Sequence, residues 1–284
     1  MAGKVQQFLE KHRTSTAAGG MVALGIAILM WRSARPTNER PWIDEMDRMP
    51  TAEFDGDTVT IKDIRNFLWS KDEAPTQRYE TRTYDLGSLV SLDFILSRFG
   101  KMKGLAGHTL LSFGFEDGRF LTVSVEIRRE TGQHYSFLRG LFRHYELMYV
   151  LADELDIIRL RTNIRQESTF LFPVKIAVPQ IRDLFVSILK RANLLAKTPE
   201  FYHSIKNSCT TNLIGHFNEI GLCKTFEYGP RAVFSGLADG LLRDLGLIGD
   251  GTKLKELRKK HAVTHLGVAY GDGPEYSRAI RGGS

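Results

Sequence analysis

Cys209 stands in the run Asn207-Ser208-Cys209-Thr210-Thr211-Asn212, just ahead of Leu213 and Ile214. Small polar residues before an apolar helical pattern mark a helix start, with Asn207 or Ser208 as the cap. The thiol then falls in the first helical turn. Unpaired NH groups and the positive helix end stabilise a thiolate there and offer donors to a developing oxyanion. Most lone cysteines are small core residues, but the polar neighbours on both sides weigh against that reading. Cys223, within Ile220-Gly221-Leu222-Cys223, sits in an apolar stretch and reads as structural. The two cysteines allow one disulfide or none, and no metal-ligand spacing surrounds them.

A thiol nucleophile needs a base, and side-chain parity in a hairpin selects one. His108 to Glu116 and Arg119 to Arg128 read as strands joined through Asp117-Gly118. A two-residue turn would set Leu111 opposite Ser124 and Phe113 opposite Thr122, giving a mixed face. A three-residue loop of Glu116, Asp117 and Gly118, with glycine in the left-handed position, pairs Phe113 with Leu121, Leu111 with Val123 and Thr109 with Val125. One face becomes uniformly apolar. The same register sets His108 across from Glu126, with Cβ atoms about 5 Å apart. A histidine oriented by a carboxylate is what a general base requires. A solvated surface pair is the plain alternative, but Leu110, Ser112, Gly114 and Ser124 on that face suit a covered one.

The other histidines are weaker candidates. His203 just before the cysteine is the main competitor to His108. His216 shares a helix face with Cys209 but lies about 10 Å along the axis. His134 and His144 fall in a connecting segment. Arg78 and Arg82 beside Tyr79 and Tyr84 are a weak anion-site signal, since strand-edge charges are usually solvated.

The positioning elements follow from periodicity. Asp57 to Leu68 and Arg78 to Leu86 read as strands, as do Leu147 to Val150, Ile157 to Arg161 and Thr169 to Val174. Val178-Pro179 opens a helix in which Ile181, Leu184, Phe185, Ile188, Leu189 and Ala192 recur at helical spacing, ending near Lys197 before Thr198-Pro199. A helix over about Ser208 to Asn218 carries the cysteine, and Ala232 to Leu247 suggests another, interrupted by glycines. Strands followed by helices predict an α+β domain.

Composition sets the wider bounds. The chain has 284 residues, 42% apolar and 25% charged, with a formal charge of +6 and an isoelectric point near 9.3. This is globular rather than disordered composition. Basic residues alternate with acidic ones, as in Arg128-Arg129-Glu130, and no nucleic-acid-binding motif is present. Anionic lipid head groups suit the basic balance as well as general solubility does.

Thr14 to Trp31 is a run of eighteen uncharged residues bracketed by Lys11 and Arg13 before and Arg32 and Arg35 after. As a helix it is roughly 27 Å long, close to the ~30 Å hydrocarbon core, and snorkelling arginines close the gap. Met30-Trp31-Arg32 lacks a small-residue cleavage pattern, so a retained anchor is expected rather than a signal peptide. Basic residues on both sides leave its orientation open. The expected organisation is a tip and anchor over 1–32, a linker over 33–52 with three prolines, and a folded domain over 53–284.

Four stretches resemble a known family. They are Arg35-Pro36-Thr37-Asn38-Glu39-Arg40-Pro41-Trp42, Tyr79-Glu80-Thr81-Arg82-Thr83-Tyr84-Asp85-Leu86, His108-Thr109-Leu110-Leu111-Ser112-Phe113-Gly114-Phe115 and Asn207-Ser208-Cys209-Thr210-Thr211-Asn212. From about Arg35 to Asn218 the sequence resembles the bacterial Lnb-type amino-terminal periplasmic domain. The resemblance implies a lipoprotein N-acyltransferase-like thiol enzyme with a circularly permuted papain-like fold of the NlpC/P60 kind. It places the family cysteine, histidine and carboxylate on Cys209, His108 and Glu126. Arg82, Tyr84, Asn207 and Asn212 are expected to contact substrate. No metal or cofactor is implied. The expected partners are a phospholipid acyl donor, a diacylglyceryl lipoprotein acceptor and the bacterial inner membrane, with the catalytic domain in the periplasm and no nucleic acid. The anchor, helped by a helix such as Ala232 to Leu247, would hold the site at the bilayer surface.

Two rival readings remain. A cell-envelope cysteine peptidase or amidase would use the same nucleophile and base with water in place of the amine. A membrane-tethered binding protein would carry His108 and Glu126 as a structural pair and Cys209 as an inert thiol.

Overall fold

A computed structural model describes residues 35–100, 104–222 and 229–282, together with Met21 and Gly25. The span Thr14 to Trp31, read as an anchor, and Cys223 therefore lie outside the described residues, apart from those two positions. Among the described residues no helix is long and apolar enough to cross a membrane.

Contacts divide the chain into a unit over Met1–Thr37 and one over Asn38–Ser284. The second unit is built on a sheet of strands β1 (Thr51–Asp55), β2 (Thr58–Arg65), β3 (Tyr79–Asp85), β4 (Leu89–Arg98), β5 (Gly107–Phe115), β6 (Phe120–Arg128), β7 (Glu146–Ala152) and β8 (Ser168–Pro173). The strand order is β1-β2-β7-β6-β5-β4-β8, with β3 paired to β2. All pairings are antiparallel except the single Arg65↔Ala152 link between β2 and β7.

The two sheet faces alternate as side-chain parity demands. Leu111, Phe113, Leu121 and Val123 join one core cluster with Leu184, Phe185 and Ile188 of the long helix Val178–Lys197 and with Leu213 and Phe217 of the helix Cys209–Glu219. Ile95, Leu110, Met148 and Val150 form a second cluster with Ile157 and Ile158 of the helix Glu154–Arg159 and with Tyr276 and Ile280 near the carboxy terminus. Helices thus cover both faces of a mixed, largely antiparallel sheet.

The expected hairpin forms with its three-residue loop. Phe113 pairs with Leu121 and Leu111 with Val123, and Gly118 takes φ 83°, a left-handed value that suits glycine. The β5–β6 ladder stops at Leu110↔Ser124. Beyond it each strand stays paired only on its outer side, β5 with β4 down to Gly107 and β6 with β7 down to Arg128. The sheet opens between them, so Thr109 and His108 are not ladder partners of Val125 and Glu126.

Two other expectations are corrected. Ile157 to Arg161 is helical, the end of Glu154–Arg159 running into a π-helical turn over Leu160–Ile164. Asp156 accepts hydrogen bonds from Arg65, Trp69 Nε1 and Phe67 N–H, which seats this helix against the sheet. Such tertiary contacts override the β preference of Ile157-Ile158. Ala232 to Leu247 is not one interrupted helix. It is Pro230–Val233, a 3-10 turn over Ser235–Leu237 and Ala238–Asp244. Ala232, Ala238, Leu242 and Leu247 are buried in the first core cluster, so these apolar groups serve packing rather than a bilayer. The stretch read as a linker is tied down from Asn38 onward. Asn38 donates to Ala196 O and accepts from Arg128, and Trp42 bridges to Glu130.

Arg281 closes the second face. Its guanidinium donates to Asp93 at 2.7 and 3.0 Å and to Glu154 at 2.7 and 2.8 Å, over the Phe120 ring. Arg281→Met leaves two buried carboxylates without their cation. We expect a loss of about 3 kcal/mol, a melting temperature lower by roughly 6–12 °C in thermal denaturation. An unchanged melting temperature would show that these carboxylates do not need the arginine.

Candidate active site

The opening between β5 and β6 is where the sequence-selected residues meet. Ser208 is extended and accepts from Thr211 N–H, while Thr211 Oγ1 accepts from Ser208 N–H at 2.7 Å. This reciprocal cap fixes the helix start and settles the cap on Ser208. Cys209 follows as the first helical residue, 5% exposed and packed in the first core cluster. His108 shares side-chain parity with Leu110 and Ser112, on the opposite face of β5. The thiol and the imidazole come from different layers and meet because the strands part.

His108 Nε2 lies 2.6 Å from Ser124 Oγ and 3.1 Å from Glu126 Oε1. Ser124 Oγ–H donates to the same carboxylate oxygen at 2.6 Å. With Nε2 on this side, the ring also interacts with the thiol by charge and hydrogen bonding. Arg161 Nη2 donates to Glu126 Oε1 at 3.2 Å. Cys209 Sγ is 3.5 Å from Ser235 Oγ, which itself accepts from Thr210 Oγ1 at 2.9 Å. The Ser235 proton is therefore available to the sulfur. Thr109 N–H, released from the ladder, also donates to it.

Ser235 reaches the sulfur because two backbones touch. Gly236 N–H donates to Leu105 O, and a Cβ on Gly236 would fall 2.1 Å from Gly104 O. A Cβ on Gly107 would fall 2.8 Å from Gly236 Cα. Only glycine permits this approach.

These contacts set the charge state. Burial pushes the Cys209 thiol up, but the His108 cation, its hydrogen bond, Ser235 and Thr109 N–H outweigh burial and bring it down to about 6. Burial pushes His108 down, but the Glu126 charge outweighs burial and the opposing Arg161, with help from Cys209, and raises it to about 9. Burial favours a neutral Glu126, yet His108, Arg161 and Ser124 hold it well below the usual carboxylate range. Between about pH 6 and 9 the resting state is thus a thiolate–imidazolium pair backed by a carboxylate.

The thiol opens into a cavity of about 600 Å³ whose wall is mainly apolar, including Phe99, Leu105, Val125, Tyr135, Phe137 and Phe234. Arg129, Arg165 and Glu167 add charge to its lining. Among the described residues no group of His, Cys, Asp and Glu has the arrangement of a metal site.

The remaining site expectations are placed elsewhere. Arg82 and Tyr84 do not line the cavity. The Arg82 guanidinium clamps Asp153 with two 2.6 Å bonds and also binds Glu80, and Tyr84 is buried on Phe115 with Arg119 over its ring. Asn207 and Asn212 scaffold the helix start. Asn212 Nδ2 donates to Asn207 Oδ1 and Ser208 O, and Asn207 Nδ2 donates to Phe201 O. His203 is occupied by its own turn, its Nδ1 accepting from Ile205 and Lys206 N–H. His216 lies between Ser187 and Tyr149, and burial pushes its pKa down to about 4. Neither is placed to serve the thiol.

Sequence reasoning missed Arg161, Ser235 and the role of Ser124. Ser124 was legible as a small polar residue two positions before Glu126 on the same face. Arg161 was hidden by the strand reading of its segment, and Ser235 carries no local signal.

Fold and site together define a mixed α/β domain with a buried cysteine, histidine and glutamate at the mouth of an apolar cavity. The chain matches the Lnb N-terminal periplasmic domain over residues 75–227, more than half of its length, and belongs to that family. His108, Glu126, Arg161 and Cys209 all fall within the matched span, whereas Ser235 lies beyond it. No curated protein and no solved structure matches the chain.

Two predictions follow from the charge state. Carboxamidomethylation of Cys209, read at its own peptide so that Cys223 is scored separately, should rise through about pH 6 and then level off. In His108→Ala the thiol keeps its burial and loses its cation, so the rate at pH 7 should fall roughly a hundredfold. A wild-type curve centred near pH 8.5 would refute the ion pair. Histidine-ring NMR should place the His108 titration near pH 9. Glu126→Gln removes the upward pull and should move it down, while Arg161→Met removes an opposing cation and should move it up. Shifts in the same direction would overturn the assigned roles.

Proposed function

We propose that this chain is a membrane-anchored thiol acyltransferase that moves an acyl chain from phospholipid through a Cys209 thioester to the amino-terminal amine of a lipoprotein. The observation that carries this reading is the ionised Cys209–His108–Glu126 set opening into an apolar cavity of about 600 Å³, a size and lining suited to a hydrophobic substrate. Family membership supports a periplasmic, cell-envelope setting. Thr14 to Trp31 would be the single inner-membrane span.

The fold fits a circularly permuted papain-like arrangement. A thiol at a helix start packs on an antiparallel sheet that carries its histidine, and in this chain the histidine strand precedes the cysteine helix.

In the first step the Cys209 thiolate attacks the ester carbonyl, with the Cys209 N–H at the helix start positioned to serve the oxyanion. The ester C–O bond breaks, and the His108 imidazolium gives its proton to the departing alkoxide. A thioester and a lysophospholipid result. In the second step the neutral amine attacks the thioester carbonyl, His108 takes the amine proton, and the amide forms as the thiolate leaves. The chemistry balances without a cofactor. Hydrolysis by a peptidase or amidase would run through the same acyl-enzyme with water as the acceptor, but the apolar cavity favours an acyl group over a peptide.

Intact mass after incubation with phospholipid vesicles tests the first step. Wild type should gain an acyl-sized mass that hydroxylamine removes, Cys209→Ser should gain none or a hydroxylamine-resistant one, and His108→Ala should be strongly impaired. A diacylated lipopeptide should then discharge the wild-type adduct with formation of an N-acylated product. If the wild type remains unmodified and its thiol alkylates like an ordinary cysteine, the binding-protein reading replaces this one.

A further inference from the structure

The segment Thr131 to Tyr145 contains no aspartate or glutamate and carries Arg139 and Arg143, both exposed. It also displays large apolar side chains outward. Leu138 is 67% exposed, Phe142 65% and Tyr135 51%, with Phe137 at 39%. Scattered exposed leucines are ordinary, but a contiguous apolar patch with cationic neighbours marks an interaction surface.

The exposure is held in place. Tyr145 Oη–H donates to His134 O at 2.6 Å and accepts from Ser136 N–H at 2.9 Å. Ser204 N–H donates to Gly140 O at 3.1 Å, and Ser204 Oγ–H donates to Phe137 O at 2.8 Å. A Cβ on Gly140 would fall 2.3 Å from Ser204 Oγ, so glycine is what lets the two backbones close. The backbone is stitched inward and the apolar groups are presented outward. The stitched turn adds exposed Ile205 and Lys206 to the same edge.

We propose that the Thr131–Tyr145 loop is a membrane-docking surface that rests in the head-group and upper acyl region of an anionic bilayer. Leu138, Phe142 and Tyr135 would enter the apolar boundary, while Arg139, Arg143 and Lys206 pair with lipid phosphates. The charge sign and the absence of carboxylates select lipid over an acidic-and-basic protein surface. The loop is continuous with the site, because Tyr135 and Phe137 line the cavity that holds Cys209. A lipid acyl chain leaving the bilayer beside Leu138 would meet the cavity wall without crossing water. This docking surface rests on the lipid-substrate reading for its purpose, but not for its test.

The full chain, reconstituted in vesicles of phosphatidylethanolamine and phosphatidylglycerol, tests it. Phe142→Trp and Leu138→Trp place a fluorophore on the patch, and Val268→Trp, at an exposed position of the carboxy-terminal part, is the control. Lipids brominated high on the acyl chain should quench the patch tryptophans beyond the parent protein and leave the control unchanged. The patch tryptophans should also become at least twofold less accessible to acrylamide. Replacing phosphatidylglycerol by phosphatidylcholine, or Arg139→Gln with Arg143→Gln, should weaken the quenching. Free acrylamide access without bromolipid quenching overturns the proposal. So does protection from acrylamide without bromolipid quenching, which assigns the patch to a protein partner or a second copy. Leu138→Asp with Phe142→Asp should slow acylation from vesicles while leaving Cys209 alkylation unchanged. Quenching in a protein that never becomes acylated would keep the docking surface and reject the acyltransferase reading, so the two fail separately.

Discussion

The site depends on the sheet coming apart between β5 and β6. Ladder hydrogen bonds end at Leu110↔Ser124 while each strand stays fixed by its outer neighbour. The inner edges are left with backbone groups that need partners. One of them, Thr109 N–H, finds the sulfur of Cys209. The opening lets a thiol from the layer under one face meet an imidazole that belongs to the other face. An unbroken ladder would keep Cys209 and His108 on opposite sides of a continuous sheet. The glycine pair at 107 and 236 then brings Ser235 to the same sulfur.

Burial works against every charge in this opening, and the charges survive as a set. Thiolate, imidazolium, Glu126 carboxylate and Arg161 guanidinium sum to zero, and each is held by a neighbour of opposite sign. His216 takes the opposite charge state. It too is buried and hydrogen-bonded through both ring nitrogens. Its nearest carboxylate, Glu219, is mostly solvated and 3.8 Å away, too weakly coupled to offset desolvation. One histidine is raised and the other lowered, and the depth of the partner carboxylate makes the difference.

The hairpin register and the helix cap were legible because each rests on a local rule with few solutions. Only one loop length gives an apolar face to Phe113, Leu111, Leu121 and Val123, and only a short polar residue caps the helix ahead of Cys209. The segment from Ile157 to Arg161 was misread because a five-residue stretch opening with Ile157-Ile158 suits a strand or a helix equally. The hydrogen bonds of Asp156 to Arg65, Phe67 and Trp69 decide the matter, and they come from positions about ninety residues away. With that segment went Arg161. Arg82 and Tyr84 lie away from the cavity lining, and the sequence hid this for a related reason. An arginine beside an aromatic ring on a strand looks the same whether it faces a ligand or, as here, clamps Asp153.

On the acyl-transfer reading, the elevated pKa of His108 bears on the second half-reaction. An α-amino group titrates near 8 and is largely protonated at neutral pH. An ordinary histidine at about 6.5 is a poor match for its proton. His108 is neutral once it has protonated the departing alkoxide, and Glu126 holds its basicity above that of an ordinary imidazole, so it can take the proton that the attacking neutral amine must lose. The thioester removes the thiolate charge and with it one upward contribution, but the larger contribution from Glu126 stays in place. Water too must lose a proton in its attack, so the raised base serves either acceptor. The same carboxylate that makes the resting ion pair thus supports the base of the second half-reaction, while the choice of acceptor falls to the mainly apolar wall of the cavity.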